Sequence, residues 1–192
     1  MSDIATPVRP RHAASLILLR HERAGPKVLM GRRPAKSRFA PDVFVFPGGK
    51  LDRGDFDQPS ATRLGEACVR RAAAPERLAA ALATAALRET AEETGLIVAP
   101  DHAALNVAAR AITPTVSPVR FHARFFVADA DLASGEAAAT PELEDLAWRS
   151  LDDALALPLF DITEAVLRTL QARGSPFLMT YRRGKPLVKV LT

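Results

Sequence analysis

The sequence predicts an α/β (α+β) domain built on a mixed β-sheet. Short runs of β-branched, aromatic and aliphatic residues, typical of buried strands, alternate with amphipathic or alanine-rich stretches that are typical of helices. A length of 192 residues is ordinary for one domain and allows a sizeable core, and no internal repeat divides the chain. We therefore expect a single domain over residues 1–192.

Composition favours a soluble cytoplasmic protein. Hydrophobic residues make up 48% and charged residues 25% of the chain, and a net charge of +4 does not by itself indicate nucleic-acid binding. The single Cys68 excludes an internal disulfide and a cysteine metal cluster. No apolar run reaches the roughly 18 residues of a transmembrane helix, and residues 1–12 lack a signal-peptide core. We expect neither a membrane nor a nucleic-acid partner.

Predicted strands are short apolar runs bounded by turn residues. They lie at 13–20, 27–33, 43–46, 96–99, 120–130 and 143–148, with a terminal hairpin within 176–191. The first two runs form a hairpin that turns at Gly25-Pro26, and the terminal hairpin turns at Gly184-Lys185. Residues 120–130 alternate as in a half-buried strand, whereas 101–120 give no clear pattern.

Helices are predicted at 61–74, 75–95, 150–157 and 161–174. Pro75 interrupts the first of these helices and suits the first turn of the second, which Gly95 closes in the left-handed conformation. The alanine-rich middle of that second helix favours a long element. We expect Leu87, Ala91 and Thr94 to form the less polar face that packs on the body of the protein.

The end of the second helix carries charges of the wrong sign for its dipole. Glu89, Glu92 and Glu93 crowd the last two turns on one face, where the negative end of the macrodipole disfavours anions. Like charges so placed each cost about a few tenths of a kcal/mol, and a bound cation would reverse that sign. A solvated acidic face is the alternative interpretation. The sequence therefore predicts a metal site here.

The same region resembles the signature of the Nudix hydrolases, G-x5-E-x7-R-E-U-x-E-E-x-G-U, where U is a bulky apolar residue. The stretch RETAEETGL fits the second half, with Thr90 in place of an apolar residue. Gly49 begins the first half, and Asp55 stands where the signature has Glu. Residues 56–85 then form an insertion that we expect to be helical. The resemblance implies a Nudix-type α/β/α sandwich with a mixed sheet and an enzyme that hydrolyses a phosphoric anhydride.

A long insertion inside the signature resembles one branch of that family, the coenzyme A and acyl-CoA diphosphatases. The segments FPGG and RFHARFFVA, and in part an upstream pattern L-L-T-x-R, are also similar to that branch, although Gly31 replaces the Thr and Asp42 a later Gly. The branch implies cleavage of coenzyme A or acyl-CoA to 3′,5′-ADP and (acyl-)4′-phosphopantetheine. ADP-ribose, NADH and dinucleoside polyphosphates are alternative substrates. A non-catalytic regulatory domain that binds a nucleotide is the alternative of another class, and a homodimer is left open.

The resemblance also implies roles for individual residues. The expected ligands of Mg²⁺ or Mn²⁺ are Gly48, through its carbonyl oxygen, and Glu89, Glu92 and Glu93. The expected catalytic set is Glu93, Glu92, Arg88, Glu142 and Glu144. Within that set Arg88 pairs with Asp55 to hold the loop against the helix, and Glu93, Glu142 or Glu144 serves as the base. Arg32, Arg33 and Arg38 would bind substrate phosphates through charge-assisted hydrogen bonds, the alternative being a solvated basic loop.

Overall fold

A nine-stranded mixed sheet with helices on both faces forms the described part of the chain. A computed structural model describes residues 8–37, 40–57, 64–99 and 104–192. The strands are β1 (Arg11–Glu22), β2 (Gly25–Arg32), β3 (Phe44–Val45), β4 (Gly48–Lys50), β5 (Ile97–Val98), β6 (Asn106–Ile112), β7 (Phe121–Asp129), β8 (Ala133–Ser134), β9 (Glu144–Ser150), β10 (Phe177–Arg182) and β11 (Lys185–Val190). The helices are α1 (Glu66–Ala72), α2 (Glu76–Thr94), α3 (Leu151–Leu155) and α4 (Asp161–Gln171).

The central strand β1 determines where the glycine segment lies. One edge of β1 pairs in parallel with β7, and the sheet continues through β6 and β10 to β11. The other edge is shared, because β4 pairs with the first part of β1 (Gly48 opposite Ser15) and β2 with the last part (Val28 opposite Leu19). The segment that follows Pro47 is therefore held in the middle of the sheet. Strand β9 pairs with the far edge of β2, and β5 and β8 form a separate two-stranded sheet.

Two hydrophobic cores lie on the two faces of the sheet. Leu16 and Phe126 point into the core under α1 and α2, and Ile17 and Val166 into the core under α3 and α4. Full burial of a side chain of this kind contributes roughly 1.5–3 kcal/mol. The predicted α/β/α sandwich with a mixed sheet is confirmed. Among the described residues, no helix is long and apolar enough to cross a membrane.

The long helix predicted after Pro75 is confirmed as α2, which ends at Gly95 in the left-handed conformation (φ 74°). Of the face predicted to pack on the body of the protein, Thr94 is buried and Leu87 is partly buried against the core, whereas Ala91 is only partly buried and lines an open groove. The face toward the sheet carries mostly small side chains, and it includes Thr90 and Glu93.

Helix α1 covers the second half of the predicted helix 61–74, while residues 61–63 lie outside the described part of the chain. Two arginines of the sheet hold the end of α1: Arg124 Nε donates to Ala72 O (3.1 Å) and Arg110 Nη1 to Arg71 O (3.4 Å). Arg124 is 1% exposed, and burial lowers the pKa of its guanidinium to about 10. Nothing in the local sequence pattern of β7 indicates this contact.

Several boundaries differ from the sequence predictions. The first hairpin turns at Arg23-Ala24, because Gly25 already begins β2. The last turns at Arg183-Gly184, and both of these residues have positive φ. Strand β6 lies in the region without a clear pattern. Strand β7 is buried on both faces rather than half-buried, since α1 and α2 cover the second face.

The two C-terminal helices follow the predicted starts closely. The Ser150 side chain accepts a hydrogen bond from Asp153 N and thereby caps α3, as its sequence predicts. Helix α4 begins at Asp161, and its N-cap position is Phe160. These helices lie on the face of the sheet opposite α2 and do not contribute to the acidic cluster.

Candidate active site

Strand β4 and the C-terminal half of α2 bring the two halves of the signature into contact. Gly48 N donates to Glu93 Oε2 over 2.9 Å. The Glu89 carboxylate packs against Gly49 so closely that a Cβ at position 49 would overlap it. The carboxylates therefore lie directly over the glycine backbone, and a side chain at position 49 would have to displace the Glu89 carboxylate.

Arg88 joins the first half of the signature to the helix, as the resemblance implies. Its Nε donates to Asp55 Oδ1 (2.9 Å) and its Nη2 to Asp55 Oδ2 (3.1 Å), a bidentate pair. Asp55 is 2% exposed and also accepts a hydrogen bond from Asp52 N (2.8 Å). The shorter Asp side chain thus makes the contact expected of Glu, since the turn Arg53–Phe56 carries it to the helix.

The same guanidinium also engages two of the predicted metal ligands. Arg88 Nη1 donates to Glu89 Oε1 (3.0 Å) and to Glu92 Oε2 (2.9 Å). Hydrogen bonding to Asp55 is the main cause that raises the pKa of Arg88 above its ordinary value. Arg88 therefore balances part of the negative charge that the sequence places at the helix C-terminus.

Burial raises the pKa of the carboxylates of Glu89 and Glu93. Glu93 is 8% exposed, and burial raises its pKa to about 7, with the charges of Glu89 and Glu142 adding to the shift. Burial also raises the pKa of Glu89, together with the negative charges of Glu92 and Asp52. Carboxylates that resist ionisation in this way gain most from a nearby cation.

In the described part of the chain, no three His, Cys, Asp or Glu side chains lie close enough together to hold a metal ion. The predicted ligands are instead engaged by protein donors, namely Arg88 for Glu89 and Glu92 and the Gly48 amide for Glu93. Their chemistry still fits a hard divalent cation, because all of these side chains offer carboxylate oxygens and two of them have raised pKa values. Glu89, Glu92 and Glu93 are thus the residues that would hold the ion.

The two candidate bases beyond the helix differ in their surroundings. Glu144 is paired with Arg32 (Nη2 to Oε2, 2.9 Å). Glu142 is exposed, and its charge acts on Glu93. The charge of Glu142 therefore reaches Glu93, whereas Glu144 is held in an ion pair with Arg32. Sequence reasoning could not separate these two residues.

The arginines predicted to bind substrate phosphates differ in their surroundings. Arg32 forms ion pairs with both Asp42 (2.6 Å) and Glu144, so its guanidinium is largely engaged. The positive charge of Arg33 acts on Glu93, which puts it close to the cluster. Arg38 lies outside the described residues.

Two contributors to the site were not found from the sequence. The Thr140 hydroxyl donates to the backbone carbonyl of Glu93 (3.1 Å), and Asp52 lies 3.9 Å from Arg88 Nη2. No local pattern marks Thr140, since its partner is 47 positions away in the chain.

Comparison with known proteins agrees with this arrangement. Residues 78–170 match the family model of the NUDIX domain. The match contains the glutamates of α2 but not the glycine segment, which only the fold brings to them. No curated protein is similar enough in sequence to be matched.

Solved structures share the fold over most of the chain. A NUDIX hydrolase from Alicyclobacillus acidocaldarius is 28% identical, with a TM-score of 0.72 over 86% of this chain and 92% of that one. A MutT NUDIX hydrolase from Burkholderia pseudomallei is 22% identical, with a TM-score of 0.57 over 84% and 98% of the two chains. The NUDIX domain of Shewanella oneidensis NrtR, complexed with ADP ribose, is 16% identical, with a TM-score of 0.58 over 90% and 93%.

The family model, the 28% identical structure and the shared sandwich fold agree with the contact between the glycine segment and the glutamate helix. Residues 78–170 therefore match the NUDIX domain, most of the chain has the fold of solved Nudix hydrolases, and these findings support a hydrolase.

Proposed function

We propose that this hydrolase cleaves a diphosphate bond in a nucleoside-diphosphate-linked substrate with the help of Mg²⁺ or Mn²⁺. One observation carries the proposal: Glu89 and Glu93 lie over the backbone of Gly48 and Gly49, although the two halves of the signature are far apart in sequence. These two carboxylates beside partly buried glycine backbone, together with Glu92 on the same helix, offer the oxygen ligands that a hard cation requires.

In the proposed reaction a water oxygen bonds to phosphorus while the bridging P–O bond breaks, and the water proton passes to a carboxylate. A divalent cation, when bound, supplies charge neutralisation for the phosphates. Arg33, whose charge acts on Glu93, would bind a phosphate oxygen. Glu142 would orient the attacking water and accept its proton. Arg88 would hold the helix against the turn that carries Asp55.

For the substrate we propose coenzyme A or acyl-CoA. The support is the resemblance of residues 56–85 to the insertion of that branch, together with the segments around FPGG and RFHARFFVA. One departure from the branch now has a physical reason, since a side chain at Gly31 would overlap Leu143. Arg32, a second residue of that upstream pattern, is engaged by Asp42 and Glu144. The insertion therefore carries more of this proposal than the upstream pattern does.

Two structural relatives favour other substrates. A C. elegans Ap4A hydrolase, 18% identical, has a TM-score of 0.54 over 85% of this chain and 96% of that one, and the NrtR domain described above is complexed with ADP ribose. Dinucleoside polyphosphates and ADP-ribose are therefore the alternatives, with NADH a third. The composition supports a cytoplasmic enzyme, and assembly as a homodimer is open to test by sedimentation.

A substrate panel tests the proposal. The purified protein is incubated with coenzyme A, acetyl-CoA, ADP-ribose, NADH or Ap4A, in Mg²⁺, in Mn²⁺ and in EDTA, and the products are separated by chromatography. We expect 3′,5′-ADP and a 4′-phosphopantetheine product, and no turnover in EDTA. Turnover of ADP-ribose alone would refute the coenzyme A assignment. Absence of turnover on every substrate would favour a binding domain instead.

A further inference from the structure

The segment 140–143, here named the Thr140 loop, is attached to the C-terminal end of α2 through one hydroxyl group. Thr140 Oγ1 donates to Glu93 O (3.1 Å), and the same oxygen accepts from Glu142 N and Leu143 N (3.3 Å each). Backbone bonds between Thr140 and Leu143, 3.1 and 3.2 Å long, close the loop on itself. The hydroxyl thus links the backbone of Glu93 to the backbone of Glu142.

The other end of the Thr140 loop is seated against β2. Leu143 is 1% exposed, and it fills the space over Gly31, where any Cβ would overlap its side chain. The next residue, Glu144, pairs with Arg32 both in the strand register and through the ion pair described above. The loop therefore has two anchors, a polar one on α2 and an apolar one on β2.

Between these anchors the Thr140 loop carries one carboxylate, that of Glu142. Glu142 is exposed, whereas Leu143 is buried and Glu144 is held by Arg32. The Thr140 hydroxyl joins the backbone of Glu142 to that of Glu93, so Glu142 lies beside the C-terminal end of α2. The two fixed ends of the loop restrict where its side chain can go.

We propose that Thr140 is a positioning residue that holds Glu142 beside the glutamates of α2, with the contact between Gly31 and Leu143 as the second anchor. This inference rests on the proposed function, because it assigns the effect of Thr140 to the rate of diphosphate hydrolysis. Thr140 acts through Glu142 and does not itself contact the reacting atoms. A misplaced general base loses much of its contribution to the rate.

The first test uses the variant Thr140→Val, which keeps the shape of the side chain and removes the hydroxyl. We expect kcat to fall about 10-fold, a part of the roughly 10²–10⁴-fold that a general base contributes, with KM unchanged. Thr140→Ser should restore kcat to within about twofold, because it keeps the oxygen. Thr169→Val is the matched control, since Thr169 Oγ1 bonds only to Ala165 O (2.8 Å) on the far face of the sheet. That control should leave kcat unchanged.

A double-mutant cycle shows whether Thr140 acts through Glu142. If it does, Thr140→Val combined with Glu142→Gln should be no slower than Glu142→Gln alone, since the two changes remove the same contribution. The proposal would be overturned if the losses in kcat of the two single variants multiply in the double variant, or if Thr140→Val keeps the wild-type kcat.

A pair of substitutions that enlarges Gly31 and shortens Leu143 tests the second anchor independently. Gly31→Ala should displace Leu143 and lower kcat, and adding Leu143→Ala should recover part of that loss by restoring space. Failure of the double variant to exceed Gly31→Ala would exclude this anchor from the positioning role, and with it that part of the proposal.

Amide hydrogen exchange separates this inference from the proposed function. Thr140→Val should speed exchange at the Glu142 amide, whose described acceptor is Thr140 Oγ1. Faster exchange with unchanged kcat would reject the positioning role and leave the proposed function standing. A wild-type protein that turns over no substrate in the panel would instead reject the proposed function, and the claim about rate with it.

Discussion

Arg88 holds Asp55 through two hydrogen bonds, Nε to Oδ1 at 2.9 Å and Nη2 to Oδ2 at 3.1 Å. The pair joins the first half of the signature to the second, across the segment that separates them in the sequence. The remaining nitrogen, Nη1, reaches Glu89 and Glu92. One guanidinium therefore connects the turn after the glycine segment to two carboxylates of α2, and loss of Asp55 should disturb both.

Replacement of Asp55 by Ala should lower the free energy of unfolding by about 2–3 kcal/mol, because it leaves a half-buried guanidinium without its main partner. This expected cost is at the lower end of the range for breaking a buried ion pair, because the Arg88 side chain is 29% exposed. Chemical denaturation measures the change. Asp57→Ala is the control, as Asp57 is an exposed residue just beyond the same turn, and it should shift stability by less than about 0.5 kcal/mol. Equal effects of the two substitutions would contradict this role of the pair.

Glu93→Gln should lower metal-dependent turnover by at least about 100-fold while leaving the fold intact. The amide keeps the side-chain oxygen that accepts from Gly48 N but cannot supply a carboxylate ligand. Initial rates at saturating Mg²⁺, with circular dichroism as a check on folding, provide the measurement. The control is Glu76→Gln in the first turn of the same helix, which should retain full activity. Near-normal rates for Glu93→Gln at saturating metal would reject the proposed metal site.

The raised pKa of Glu93 predicts a pH dependence of stability in metal-free protein. Its pKa is about 7 in the fold and ordinarily 4.5, so between these values the unfolded chain releases a proton that the folded chain keeps. Stability should therefore fall as pH rises from 4.5 to 7, by at most about 3 kcal/mol from this residue.

Denaturation in EDTA across that pH window, for wild type and for Glu93→Gln, isolates the contribution. The variant has no group to ionise at position 93, so its stability should decline less with rising pH. Added Mg²⁺ should reduce the decline in the wild type, because a cation favours the ionised carboxylate. Parallel curves for the two proteins would show that Glu93 titrates normally.

Thr90 and Thr94 offer a matched pair of buried hydroxyl groups on α2. Thr90 Oγ1 donates only to Ala86 O (2.7 Å), which is already a helix acceptor, so Thr90→Val should change the free energy of unfolding by less than about 0.5 kcal/mol. Thr94 Oγ1 donates to Thr90 O (2.6 Å) and also accepts from Leu96 N (3.2 Å). Thr94→Val should cost about 1–2 kcal/mol, because it leaves the buried amide of Leu96 unpaired.

Thermal or urea unfolding of the two variants under one set of conditions measures the difference. Equal costs for both substitutions would mean that the Leu96 amide finds another acceptor. A large cost for Thr90→Val would show that its hydroxyl contributes more than a local hydrogen bond to the helix. The expected result would also explain why Thr90 can stand where the Nudix signature has an apolar residue.

The sequence by itself determined the local elements and the chemistry of the site. Periodicity and turn residues predicted the first hairpin, α2 with its cap at Gly95, and α3 with its cap at Ser150. Charge placement and the split signature singled out the glutamates of α2 as candidate ligands. The predictions of the local elements succeed because they depend on residues within a turn or two of each other, where spacing alone decides which side chains are neighbours.

Only the tertiary structure decided which neighbours the cluster has. Arg88 bonds to Glu89 and Glu92, the Thr140 hydroxyl links the backbone of Glu142 to that of Glu93, and Arg32 forms an ion pair with Glu144. Each of these outcomes depends on packing between segments that are distant along the chain. The free energies of alternative ion pairs differ by amounts that depend on burial and distance. Neither quantity can be obtained from spacing, so the sequence identified the acidic residues and the fold assigned their partners.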